Sequence, residues 1–140
     1  MPDPKARHAG ALKKVPIFED LSEGELGFLA ERAVAHPFEG GTVIFSEGEP
    51  CQGLYVVESG AIKVFRTSAS GREQVLAIEV PGHSLAELPL FDGGDYPASA
   101  MAMGETILLF VDKKDFHALC RQHPEVALKR HLHVAARLGT

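Results

Sequence analysis

The residues best suited to binding chemistry fall between Pro81 and Ala100. Pro81-Gly82-His83-Ser84-Leu85 leads into Ala86, Glu87 and Leu88, and Asp92, Asp95, Pro97, Ala98 and Ser99 follow closely. Glu87 is a candidate acceptor for ligand hydroxyls, and equally a carboxylate that takes backbone N–H groups at a turn. Ser84 and Ser99 are candidate donors to an anion, although loop serines mostly satisfy local backbone. His83 is a candidate haem-iron ligand or pocket gate, set against a plain solvated turn histidine. Cations are scarce: from Glu73 to Cys120 only Lys113 and Lys114 occur. A buried anion needs a positive partner or a dense set of donors, so this stretch is poorly furnished for a phosphate.

The other chemical candidates are weaker. Asp92 and Asp95 flank Gly93-Gly94, but one short acidic turn lacks the ligand number of a calcium site. His131 and His133 lie two apart and so point to different helix faces. His36, His117 and His123 show no metal spacing, and no metal site is expected. Cys120 reads as a small apolar residue on a helix and Cys51 as a turn residue. There is no nucleophile–base pair and no Gly-rich phosphate loop, so nothing reads as an enzyme active site.

Strands and turns must position the central stretch. Thr42–Phe45, Leu54–Val57, Ala61–Phe65, Val75–Val80 and Thr106–Val111 are β-branched or apolar runs. Gly40-Gly41, Gly48-Glu49-Pro50, Ser59-Gly60, Ser68–Gly71, Pro81-Gly82 and Gly93-Gly94 separate them. Short strands punctuated about every ten residues predict a sandwich or barrel-like roll. Leu54, Val56, Ile62, Val64 and Ile107 are expected to face inward, with Leu54/Val56 and Tyr55/Val57 competing for one face.

Helices are predicted at both ends. Ser22 and Glu25 form a capping-box pattern opening a helix to about Ala33, which buries Leu26 and Leu29. Asp112 can cap a second helix over Lys113–Gln122, with Phe116 and Leu119 inward. His123 breaks it and Pro124 suits the start of the next. There Leu128, Leu132 and Ala135 form a stripe flanked by Val134 and Leu138. Residues 1–14, with Pro2, Pro4 and Gly10 among charges, read as a flexible tail. Residues 15–122 then form the β-roll domain, and 123–140 the start of a dimer helix. The fold class is α+β, mainly β: a jelly-roll-like β-roll of about eight strands with a short N-terminal helix and two C-terminal helices.

Composition bounds the partners. The chain has 140 residues, is 45% hydrophobic and 24% charged, and carries a net charge of −5. One domain with an ordinary core fits that length. The negative charge speaks against a nucleic-acid surface. No apolar run approaches the ~18 residues of a membrane helix. The polar N-terminus lacks the apolar region of a signal peptide, so a cytoplasmic location with both cysteines reduced is expected.

The ordered series of motifs resembles the sensor domains of the Crp/Fnr regulators over about residues 16 to 138. Pro16-Ile17-Phe18 leads into Leu21-Ser22 as at the family's first helix. Phe45-x-Glu47-Gly48-Glu49-Pro50 is similar to the turn after its second strand. Leu54-Tyr55-x-Val57-x-Ser59-Gly60-x-Ile62-Lys63-Val64 is similar to its central hairpin, and Pro81-Gly82 with Glu87-Leu88 to its phosphate-binding cassette. Ala86 stands where cyclic-nucleotide binders usually carry glycine. Pro97 and Ala98 stand where they carry arginine and a small residue. These departures look closer to the nitric-oxide-responsive DNR-like branch than to the cAMP-binding one.

The resemblance implies an effector-sensing domain that has lost its usual cyclic nucleotide. Its expected effector pocket holds Ala86, Glu87, Leu88, Pro97, Ala98 and Ser99. In cyclic-nucleotide binders the glutamate matching Glu87 takes the ribose. The cofactor is open between none and haem, and the absence of an N-terminal cysteine cluster argues against an iron–sulfur centre. Leu128, Leu132, Ala135 and Leu138 would form a two-fold seam, giving a homodimer that is weak at this helix length. DNA would be read by a helix-turn-helix domain that follows the final helix in the family and is not in these 140 residues. Because the stripe stops in mid-pattern at Thr140, the chain is expected to be part of a longer regulator. Two alternatives remain: a module that still binds cAMP or cGMP, and a structural dimerisation or partner-binding domain whose pocket is filled by side chains.

Overall fold

The computed structural model describes residues 4–86, 89–90 and 93–125. Among these, eight strands form two antiparallel sheets of four, and three α-helices pack on one of them. The first sheet has the order β1 (Val34–Phe38), β8 (Thr106–Asp112), β3 (Gly53–Ser59), β6 (Ser84–Leu85). The second runs β2 (Val43–Phe45), β7 (Ser99–Ala102), β4 (Ile62–Thr67), β5 (Glu73–Glu79). The expected roll of about eight strands is thus present. The run Thr106–Val111 and the hairpin around Ser59-Gly60 fall where their apolar patterning places them.

Gly60 shows why the hairpin needs glycine. Its φ is +88°, and a Cβ there would sit 2.5 Å from both the Glu105 carbonyl oxygen and Thr106 Oγ1. Backbone and side chain of the neighbouring strand leave no room for it.

The central sheet is buried on both faces, which resolves the competition within β3. Leu54 and Val56 join Leu109 and Val111 in a core shared with the helices. Val57 joins Leu85 and Leu108 in the interior of the roll, with Tyr55 packed against them. Of the expected inward set, Leu54, Val56 and Ile62 are fully buried. Val64 is half-buried against the inner cluster. Ile107 is the exception. It is half-buried and lines an open groove with Pro37 and Ser59, while Leu108 and Leu109 take the core positions of its strand.

The helices follow their local signals. Helix α2 (Glu23–Arg32) opens on the expected capping box: Glu25 N–H donates to Ser22 Oγ at 3.2 Å and Ser22 N–H to Glu25 Oε1 at 2.8 Å. It buries Leu26, Leu29 and Ala30. Helix α3 (Lys113–Gln122) is capped by Asp112, which accepts from Lys114 N–H at 2.8 Å, and it buries Phe116 and Leu119. Phe116 meets Phe18, in the 3-10 turn Pro16–Phe18, at a ring separation of 6.2 Å. Each such aromatic burial is worth roughly 1.5–3 kcal/mol.

Residues 4–13 correct the flexible-tail reading: they form helix α1 (Pro4–Lys13). Pro4 is tolerated at a first position, and Ala6, Ala9, Ala11, Leu12, Lys5 and Lys13 are strong helix formers. Leu12 and Val15 are fully buried in the helix-side core. Salt bridges Lys5–Glu31 at 2.6 Å and Arg7–Glu58 at 2.8 Å tie the helix to α2 and β3. The Lys5 ammonium, bonded to Glu31, holds that carboxyl below its ordinary pKa. The expected second C-terminal helix, with Leu128, Leu132, Ala135 and Leu138, lies outside the described residues.

Candidate functional site

The cassette is built by pinning three loops together. Strand β6 pairs with β3 at Tyr55↔Leu85 and Val56↔Ser84. Its approach is fixed by Val57 N–H donating to the His83 carbonyl at 2.9 Å and Gly82 N–H to the Val57 carbonyl at 3.2 Å. The turn Gly48-Glu49-Pro50 is stitched to the far side of the cassette. Gly48 N–H donates to the Tyr96 carbonyl and Tyr96 N–H to the Glu49 carbonyl, both at 2.9 Å.

Between these loops lies a cavity of about 130 Å³. Of the residues expected at an effector pocket, Ala86, Pro97 and Ala98 line this cavity. Ser99 is not in the lining: its Oγ accepts from the N–H of Glu47, distant in sequence, at 2.9 Å. Ser84, weighed as an anion donor, is buried in the lining. Glu87, Leu88 and Asp92 lie outside the described residues. His83 is not part of the lining; its Nδ1 lies 3.0 Å from Glu79 Oε1.

Ala86 has φ of +73°, the single positive φ at a non-glycine among the described residues. This is the conformation that glycine adopts freely and alanine does not. The cassette bend at this position therefore carries a methyl group in a conformation that suits glycine.

Phe45, Tyr96 and Glu79 are among the lining residues that were not legible as such. Phe45 and Tyr96 stack at 3.9 Å with an interplanar angle of 11°, closing one wall. Tyr96 Oη accepts from Gln52 N–H at 3.1 Å, and burial pushes its pKa up to about 12. Burial raises Tyr55 as well. Glu79 arrives from β5 and places a carboxylate in the lining. Tyr96 had one signal, its place just before Pro97. Glu79 had none, because it reaches the site through the β4–β5 register.

No Lys, Arg or His lines the cavity among the described residues. Arg66, on β4, comes nearby but gives its Nε–H to the Pro97 carbonyl at 2.9 Å and is exposed. Pockets that bury a drug-sized ligand usually hold ~300–1,000 Å³, so this one is small. A larger open groove of about 690 Å³ lies elsewhere, between α1 and α2.

Comparison with known proteins bears on the whole unit. Residues 35–123 match the family model described as cyclic nucleotide-binding domain. The chain is 36% identical over 116 residues to the cyclic AMP receptor protein of Thermus thermophilus, covering 83% of this chain and 54% of that protein. It is 30% identical to the CRP-like cAMP-activated global transcriptional regulator of Mycobacterium tuberculosis, covering 83% and 52%. The chain thus spans about half the length of these curated relatives. Among solved structures it is similar to the N-terminal domain of a transcriptional regulator from Streptomyces coelicolor, at 35% identity and TM-score 0.80, covering 91% of this chain and 90% of that one. The sensor domain of DNR from Pseudomonas aeruginosa matches at 26% identity and TM-score 0.84, covering 96% and 90%. Identity is higher to the cyclic AMP receptor protein than to DNR, so a DNR-like branch rests on the cassette residues alone.

Proposed function

The chain belongs to the cyclic nucleotide-binding domain family, and we propose that it is the effector-sensing domain of a Crp/Fnr-type transcription regulator whose pocket takes something other than a cyclic nucleotide. The observation that carries this is the cassette lining, which holds Pro97, Ala98 and Glu79 and, among the described residues, no Lys, Arg or His. One charge-assisted contact to a phosphate is worth ~1.5–3 kcal/mol, or up to about a hundredfold in affinity. Here that contact is missing and a carboxylate adds repulsion. Effector binding would act as a population shift, moving the helix that follows α3 and with it a DNA-reading domain in a two-fold dimer. Such a regulator works in the cytoplasm, as a binding protein and not an enzyme.

The test is calorimetric titration of cAMP and cGMP into the purified chain. No binding below ~100 μM is expected; a dissociation constant near 1 μM would falsify the reading. The optical spectrum before and after haem addition then decides whether haem is the occupant. A second reading, a structural or partner-binding domain, is favoured by one observation: the cavity walled by the Phe45–Tyr96 stack is only about 130 Å³. An apolar small molecule that raises the melting temperature in wild type and not in Ala98→Trp supports sensing over that alternative.

A further inference from the structure

The end of α3 brings together three ligand-type side chains from opposite ends of the chain. Glu25 uses one carboxylate oxygen, Oε1, in its capping box with Ser22. Its other oxygen, Oε2, lies 3.5 Å from His123 Nδ1, and Glu125 Oε1 lies 3.4 Å from the same nitrogen. The three ligand atoms all fall within 4.8 Å of one another. The Glu25 side chain is only 9% exposed, whereas His123 is 42% and Glu125 54% exposed.

Both separations are longer than a hydrogen bond and lie within ion-pair range of His123. An N–H···O bond has a heavy-atom distance of about 2.7–3.2 Å, and both separations exceed it. A small cation held between the three ligand atoms suits the same separations. Tetrahedral zinc with bonds of about 2.1 Å sets its ligands about 3.4 Å apart. One imidazole and two carboxylates supply two negative charges and a nitrogen–oxygen donor set suited to a divalent metal of this kind.

The ligands are also oriented from behind. The bond from Ser22 N–H fixes the Glu25 carboxylate, as outer-shell partners do at metal centres. His123 is held by its backbone N–H donating to the Leu119 carbonyl at 2.8 Å. Sequence spacing shows no metal motif at His123 because its partner Glu25 comes from the far end of the chain.

We propose that Glu25, His123 and Glu125 form a zinc-type divalent-cation site, with water completing the coordination on the exposed side. The cation would clasp the start of α2 to the chain leaving α3. The site is independent of the cassette and of whatever binds there.

The test is a Zn²⁺ titration of the full 140-residue chain by calorimetry, after chelator treatment, with thermal melts in parallel. One equivalent with micromolar affinity is expected, together with a raised melting temperature. His123→Ala and Glu25→Gln should each weaken binding at least tenfold. Glu125 is exposed, so Glu125→Gln leaves the fold intact and should also weaken binding. A His131→Ala/His133→Ala double variant and His83→Ala should bind as wild type does. Absence of binding up to millimolar Zn²⁺ overturns the proposal. So does affinity that survives His123→Ala and Glu125→Gln, or that disappears only in the His131/His133 double variant.

Discussion

A methyl group at position 86 is held where φ is +73°. A left-handed alanine costs roughly 1–2 kcal/mol, and glycine gives back part of that gain through its freer unfolded chain. Ala86→Gly should therefore stabilise the domain by about 0.5–1 kcal/mol in urea unfolding; a loss of more than 1 kcal/mol would mean the methyl makes packing that outweighs the strain. Tyr96 makes the second residue-scale prediction. Its folded pKa is raised to about 12 by burial, above the ordinary value of 10.0. Its contribution is therefore complete below pH ~10 and is lost as pH rises through 12, because only the unfolded chain ionises easily. Wild type should lose on the order of 1–2 kcal/mol over that window. Tyr96→Phe should show a flatter alkaline limb, and equal slopes for both proteins would refute the assignment. At this scale the sequence pointed to only part of the cavity lining. Ala86, Pro97 and Ala98 are neighbours in one motif and stayed neighbours in space. Phe45 and Glu79 are brought in by sheet pairing, which no local pattern encodes.

Among the elements, α1 separates what local pattern carries from what packing decides. Prolines and a glycine among charges suggested a loose segment, yet Leu12 and Val15 reach the core and two ion pairs hold the exposed side. One buried leucine in a polar stretch gives no helical periodicity, so the helix was hidden, although its alanines and lysines favour it. Leu12→Ala should cost ~2–4 kcal/mol by chemical denaturation. A change under about 0.5 kcal/mol, the range of surface sites, would return these residues to the status of a tail. Helix α2 was legible because its capping box is written in four consecutive residues. Ile62 offers the matching test inside the roll. It is fully buried, and Ile62→Ala should cost ~2–5 kcal/mol. The edge strand β5 behaves differently: Val75, Leu76 and Ile78 are each more than 40% exposed. An apolar run read as an ordinary strand thus lies on the surface at the sheet's margin, where unpaired backbone invites association.

For the whole molecule, five of the roll's eight strands, β2, β3, β4, β5 and β8, were readable because glycine and proline punctuate the turns beside them. The two-sided burial of the central sheet was not, since helices covering one face leave no mark within the strands themselves. The proposed homodimer rests on Leu128, Leu132, Ala135 and Leu138, all outside the described residues. Sedimentation should find the chain largely monomeric at low micromolar concentration; a tight dimer would place the seam elsewhere than in that short stripe. One last property belongs to the entire chain. It contains no tryptophan and two tyrosines, Tyr55 and Tyr96. Tyr96 lines the cassette cavity, and Tyr55 lies 6.0 Å from the Phe45 ring that Tyr96 stacks upon. Tyrosine emission therefore arises at the pocket wall and just behind it. Any occupant that parts the stack or breaks the bond from Gln52 should change that emission, so unlabelled protein carries its own fluorescent gauge of occupancy.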